Sequence, residues 1–174
     1  MRSYFTFARD YDLRDVDPMA KMRRPKPGRG IPRPLTPEQV EQVLAAAPNA
    51  NMRAWLTLAL YAGLRAHEIA KIRGEDVTQE QMYVFGKGST GDQIPTHPRI
   101  WAIAQERPKV GWWFPSRSGS GHVTSLSVST LTARLFKDCG IEGSIHRARH
   151  SYATNLLRSG VNIRVVQELM RHRS

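Results

Sequence analysis

The 174-residue sequence has little of three things. It holds one cysteine, Cys139, which excludes an internal disulfide framework and a cysteine-rich metal centre. It has no apolar run near the roughly 20 residues that a membrane-spanning helix needs, and no charged-then-apolar leader opens it. It is also poor in acid: 15 Asp and Glu stand against 26 Lys and Arg, a formal net charge of +11. At 40% hydrophobic and 24% charged, the composition is that of a soluble globular protein, long enough for one domain with a core or one domain and part of another. The positive excess points to a polyanionic partner, most simply nucleic acid, although many basic surfaces share it.

Acid is missing altogether between Pro18 and Pro37, where Lys21, Arg23, Arg24, Lys26, Arg29 and Arg33 all fall. Pro18, Pro25, Pro27, Pro32, Pro34 and Pro37 interrupt the same stretch, with Gly28 and Gly30 between them. Proline fixes φ and removes a backbone donor, so the segment reads as an extended linker that can follow phosphates at little ordering cost, or as a solvated tether. The second basic region, His146 to Ser174, carries Arg147, Arg149, Arg158, Arg164, Arg171 and Arg173 against one acid, Glu168. It has helical periodicity, so its charges are expected in fixed places.

The remaining pattern is mostly helical. Residues 1–16 space apolar groups near a helical period, and Asp17-Pro18 reads as a stop. Thr36-Pro37-Glu38-Gln39 is a capping box opening a helix to about Ala47. A nearly all-apolar helix is expected over about Met52–Ala62, ended by Gly63, and a short helix with Ile69 and Ile72 on one side follows. Gln81 to Phe85 has β character, 86–92 is turn-rich, and Gln93-Ile94-Pro95 suits a returning strand. Helices are expected again at about Pro98–Glu106, Ser127–Cys139, His146–Arg158 and Ile163–Arg171, with Gly140 and Gly160 as terminators. The fold class expected is therefore mostly α with a small antiparallel β-sheet, and no internal repeat is visible.

Four polar features stand beside these structural signals. Glu68 lies three residues after Arg65, within helical reach of its guanidinium, a spacing that also makes ordinary surface ion pairs. Lys87 sits between Gly86 and Gly88 in the hairpin turn, where most lysines are simply solvated. His146 and Arg149 share a helix face, as do His146 and His150. That histidine spacing suits zinc, but the flanking arginines and the lack of a nearby carboxylate or thiolate speak against a metal. His172 follows the last helix. Two arginines, two histidines and a lysine brought together would stabilise a phosphorane without metal: guanidinium forks match phosphate oxygens, histidine moves protons, and lysine protonates a departing alkoxide.

Leu64-Arg65-Ala66-His67-Glu68-Ile69, Gly86-Lys87-Gly88, His146-Arg147-Ala148-Arg149-His150-Ser151-Tyr152-Ala153-Thr154 and Val165-Val166-Gln167-Glu168-Leu169-Met170-Arg171-His172 resemble, in order and spacing, the motifs of the tyrosine recombinases, the phage integrases and Xer-type enzymes. The resemblance covers the whole chain. It implies a catalytic domain of that fold at 35–174, a basic linker at 18–34 and the last helix of a core-binding domain at 1–17. It makes Arg65, Lys87, His146, Arg149 and His172 catalytic, Lys87 being the proton donor to the 5′-oxygen and Arg149 a clamp on the scissile phosphate. Glu68 and His150 become supporting residues. Ala148 stands where the family usually has leucine, and Arg171 where it usually has glycine.

The family's nucleophilic tyrosine follows the His172 position by two to three helical turns. Tyr4, Tyr11, Tyr61, Tyr83 and Tyr152 all precede His172, so the chain holds no nucleophile in that place and is expected to be a catalytic domain cut before it. The resemblance implies double-stranded DNA as partner, no cofactor, a homotetramer on DNA for the intact protein and a monomer for this fragment. It also implies a cytoplasmic, nucleoid-associated location in a bacterial host. A non-catalytic DNA-binding module and a type IB topoisomerase remain as alternatives, and the N-terminal segment and linker favour the recombinase.

Overall fold

Thr36 opens a helix as its sequence predicts. In the computed structural model, which describes residues 7, 8, 10–13, 34–86, 91–117, 119 and 121–171, its side chain accepts from the Gln39 amide at 3.3 Å. Gln39 returns the bond to the Thr36 amide at 3.2 Å, completing the capping box that starts α1 (Pro37–Ala45). Two compact units divide the chain, 1–31 and 32–174. In the first, the Phe7 and Tyr11 rings lie 4.4 Å apart on one helical turn. All that follows concerns the second.

Asn49 caps α2 (Ala50–Ala62) by accepting from the Met52 amide at 2.9 Å. The helix begins two residues before its apolar run because the cap, not the first large hydrophobe, sets the start. Ala54, Trp55, Leu56, Thr57, Leu58, Ala59 and Leu60 are all buried, so α2 is covered on every side. Gly63 ends it with φ 60°, and a Cβ there would lie 2.5 Å from Cδ1 of Tyr152. Only glycine takes that conformation freely and also lets the two segments approach this closely.

Arg65 is the N-cap residue of a short helix, α3 (Ala66–Ala70), and a single 3₁₀ turn (Gly74–Asp76) leads to a hairpin. Strands β1 (Gln81–Phe85) and β2 (Gly91–Pro95) pair antiparallel with Met82 opposite Ile94 and Val84 opposite Asp92. Met82, Val84 and Ile94 are buried, while Tyr83 and Phe85 alternate outward. The second strand starts two residues earlier than its β-forming run, at Gly91, where the Phe85 ring lies against the bare backbone. Helix α4 (Pro98–Gln105) follows, with proline in its first turn.

The aromatic segment after α4 ties loops together. Trp112 bridges to Arg73, Pro115 to His122, and Trp113 and Phe114 are buried. Helices α5 (Ser125–Asp138), α6 (Ile145–Arg158) and α7 (Ile163–Leu169) complete the fold. Central α2 packs chiefly against α6 and α4, α3 packs on α5, and α7 leans on α6. This places the end of α2, the start of α3, the face of α6 and the end of α7 together. Among the described residues, no helix is long and apolar enough to cross a membrane.

Candidate active site

The junction of these four segments is built around one carboxylate. Glu68, in α3, has a side chain only 1% exposed. Its Oε1 accepts from Nη1 of Arg65 at 2.8 Å, and its Oε2 accepts from the Arg65 backbone amide at 2.8 Å. Oε2 also accepts from Nη2 of Arg171 at 2.8 Å, and Nη1 of Arg149 stands 3.7 Å away. The i,i+3 pair read from sequence is therefore one edge of a buried cluster of three guanidiniums on one carboxylate.

Arg149 is brought here by α6, which enters beside α2. Its Nη1 donates to the carbonyl of Gly63 and its Nη2 to the carbonyl of Met170. These are the carbonyls of the residues that cap the ends of α2 and α7, where helices leave acceptors without intrahelical partners. Arg171 follows α7 in a left-handed conformation, φ 50°, and donates to Gly63 O at 3.1 Å and Leu169 O at 2.9 Å. Its carbonyl accepts from Nη2 of Arg65 at 3.4 Å. Arg65, 30% exposed, is the cation of the cluster open to solvent; the side chains of Arg149 and Arg171 are 5% and 3% exposed.

Electrostatics follow from the count of charges. Burial pushes the Glu68 carboxyl up, but the charge of Arg171 and hydrogen bonds from Arg65 and Arg171 outweigh it and hold the group below its ordinary 4.5. Burial, with Arg65 and Arg171 adding repulsion against the pull of Glu68, brings Arg149 down to about 10. It remains a cation at neutral pH. His67, next to Glu68, is pushed down by burial. Burial likewise raises the phenol of Tyr152, against the pull of Arg171 and Arg149. One acid leaves two of the three buried or half-buried cations uncompensated, a net charge that favours an arriving anion.

Of the other residues expected here, His146 and His150 are both exposed on α6, His146 one helical turn before Arg149. His150 makes no hydrogen bond to the Glu68 cluster. Lys87 and His172 lie outside the described residues, as do Lys21, Arg23, Arg24, Lys26, Arg29 and Arg33. Two features were not read from sequence. One is the inward turn of the Arg171 side chain, whose only sequence signal is an arginine where a turn prefers glycine. The other is an anchor on α6: Ser151 Oγ accepts from the Leu35 amide at 2.7 Å and donates to Arg147 O at 2.9 Å. Arg147 also donates to the Gln39 side chain at 3.4 Å. The entry of the chain into this unit is thus fastened to the helix that carries His146 and Arg149.

Known proteins resemble this chain along nearly its whole length. The model of the phage integrase family fits residues 33–174. The chain belongs to the phage integrase family, the tyrosine recombinases. A tyrosine recombinase of Thermosipho africanus is 30% identical over 185 residues, covering 99% of this chain and 64% of its own length. The XerA recombinase of Thermococcus onnurineus is 33% identical over 184 residues, with the same coverage of 99% and 64%. Among solved structures, the integrase of mycobacterium phage Brujita superposes with a TM-score of 0.77 at 38% identity, over 98% of this chain and 60% of that one. A lambda integrase dimer bound to a core site gives 0.74 at 19% identity, over 99% and 69%, a likeness of fold. The chain spans about two thirds or slightly less of these curated relatives. The mostly helical fold with one two-stranded antiparallel sheet is that of the tyrosine recombinase catalytic domain.

Proposed function

We propose that this chain is the phosphate-activating part of a site-specific DNA recombinase. In that reading Arg65 and Arg149 hold the scissile phosphate of double-stranded DNA, with Glu68 fixing Arg65 and the carbonyls of Gly63 and Met170 fixing Arg149. A tyrosine phenolate attacks phosphorus, the bond to the 5′-oxygen breaks, and Lys87 delivers a proton to that oxygen. The products are a 3′-phosphotyrosyl link and a free 5′-hydroxyl. His146 and His172 supply hydrogen bonds or proton transfer at the phosphoryl oxygens. A 5′-hydroxyl from a partner duplex reverses the step and conserves the bond energy. Preorganised cations in a water-poor site are well suited to charge that develops on phosphorus.

The observation that carries this reading is the convergence of Arg65, Arg149 and Arg171 on one buried carboxylate, a cluster with two net positive charges. The domain limits read from sequence, 1–17, 18–34 and 35–174, give the basic linker the task of following the DNA backbone between the two domains. All five tyrosines precede His172, so these 174 residues alone are expected to bind DNA, salt-sensitively and as a monomer, without cleaving it. A homotetramer on DNA and a cytoplasmic, nucleoid-bound location belong to the intact protein.

Binding of a labelled duplex, followed by anisotropy across salt, tests the site. Arg65→Ala and Arg149→Ala are expected to weaken binding more than Lys21→Ala in the linker. Equal losses would leave only a DNA-binding module. A version carrying a downstream tyrosine should trap a covalent complex on a nicked duplex, and a covalent adduct with the 174 residues alone would overturn the non-cleaving assignment.

A further inference from the structure

We propose that Arg171 is a positioning residue of this site: it occupies Glu68 and the end of α2 so that Arg65 and Arg149 keep their full charge for a phosphodiester. The inference rests on reading the site as one that binds phosphate. It starts from a backbone that a side chain makes costly. Arg171 has φ 50°, a conformation in which a Cβ crowds the neighbouring carbonyl. Contacts made only by the side chain offset that cost, namely the ion pair to Glu68 Oε2 at 2.8 Å and the bonds to Gly63 O and Leu169 O. Its Nε is buried without a hydrogen-bond partner, so the guanidinium is held by its two terminal nitrogens.

The neighbours show what the position does. Both terminal nitrogens of Arg149 are spent on carbonyls, and its approach to Glu68 stops at 3.7 Å, beyond hydrogen-bond range. Arg171 holds the Oε2 atom that Arg149 would otherwise close upon. Charge leads to the same conclusion. With Arg171 the cluster is three cations and one anion; without it, Glu68 would cancel half of the charge of Arg65 and Arg149. A diester carries one negative charge and gains another as the nucleophile adds. Arg171 has both terminal nitrogens on Glu68, Gly63 O and Leu169 O, so it acts through the residues it holds. Its carbonyl also accepts from Arg65, which ties the exposed cation to the same turn.

The test compares Arg171→Met, Arg171→Lys and Arg65→Met, with Lys21→Met as the linker control, in the 174-residue protein. Affinity for a short fluorescein-labelled duplex is measured across salt, and the Glu68 carboxyl is titrated by carbon NMR. Arg171→Met is expected to lose about tenfold in affinity, the size of one charge at close range in a medium of intermediate dielectric. Its salt slope should stay that of the parent, since no phosphate contact is removed, while Arg65→Met lowers the slope by about one. The Glu68 titration should move up in Arg171→Met and return part of the way in Arg171→Lys. If Arg171→Met does not fold, as judged by near-ultraviolet circular dichroism, Arg171→Lys carries both readouts, with a smaller loss and a smaller upward shift expected. A folded Arg171→Met with parental affinity and an unmoved Glu68 titration would reduce the residue to packing and overturn the proposal. A slope lowered as much as in Arg65→Met would overturn it differently, by making Arg171 a direct contact. Failure of the phosphate-site reading looks different again: Arg65→Met would then bind no worse than Lys21→Met, whatever Arg171 does.

Discussion

Glu68 and Glu41 each face an arginine, and the two pairs differ in nearly everything else. Glu41 reaches Arg99 at 3.4 Å with both side chains more than half exposed, 67% and 53%. Glu68 meets Arg65 and Arg171 at 2.8 Å from inside the protein, with Arg149 close behind. Water replaces either partner of the exposed pair at almost no cost, and salt screens what attraction there is. No water replaces Glu68. Remove its charge and the guanidiniums of Arg149 and Arg171 remain buried against carbonyls alone, with no counter-charge. The lesson is that an ion pair matters here for what it leaves behind when broken, and by that measure only one of the two is part of the architecture.

The largest effect is therefore expected at Glu68. Glu68→Gln keeps the shape but presents an amide to three cations, and breaking a buried pair of this kind typically costs about 3–5 kcal/mol. Urea denaturation reads that loss directly. Acid should read it as well, with a definite sign. The folded carboxyl lies below its ordinary 4.5, so the stabilisation is complete above the unfolded value and is lost as pH falls through the folded one. The gap between parent and Glu68→Gln should be widest near neutral pH and shrink on acidification. The arginines facing Glu68 stay charged throughout, and His67 gains its charge at a lower pH than usual, adding repulsion in the same acidic range. A gap that stays constant down to strong acid would show that Glu68 stabilises by packing and not by charge.

A middle case sharpens the comparison. Ser151 is buried and hydrogen-bonded but neutral, joining Leu35 to α6. Ser151→Ala leaves the buried Leu35 amide without its acceptor, which should cost about 1–3 kcal/mol in urea denaturation. The Glu68 cluster loses no partner, so the Glu68 titration should be unmoved. Were it to shift, the chain entry and the Glu68 cluster would be mechanically one element.

How much of this was legible in the sequence depends on the range over which each feature is decided. The capping box at Thr36, the buried run from Trp55 to Leu60 and the turn at Gly63 are local decisions, and periodicity and capping chemistry express them directly. The edges moved where a polar cap lay upstream of the apolar run: α2 starts after Asn49, and α5 starts after Thr124, whose side chain accepts from the Ser127 amide. The Arg65–Glu68 edge was legible because it is an i,i+3 spacing. The rest of the cluster was not, because Arg171 reaches Gly63 from 108 residues away and its side chain turns inward only where α7 ends against α2. The Leu35–Ser151 anchor spans 116 residues and leaves no pattern in either segment. Motif resemblance supplied Arg149 as a partner of Arg65, and it marked Arg171 only as a departure. The geometry turns that departure into a contact.

The smallest effect belongs to the exposed pair, and it controls for all the others. Glu41→Gln removes one charge from the surface of α1 while the Arg99 guanidinium keeps its place over the Tyr61 ring, 5.0 Å from its centre. Solvent takes over the lost hydrogen bond, so the urea midpoint should stay within error of the parent at any salt concentration. Because the same change makes the protein one unit more positive, DNA affinity should rise slightly at low salt and return to the parent value as salt is added. A destabilisation comparable to Ser151→Ala would mean that Glu41 and Arg99 hold α1 against α4. Burial alone would then no longer separate the pairs that build this protein from those that only decorate it.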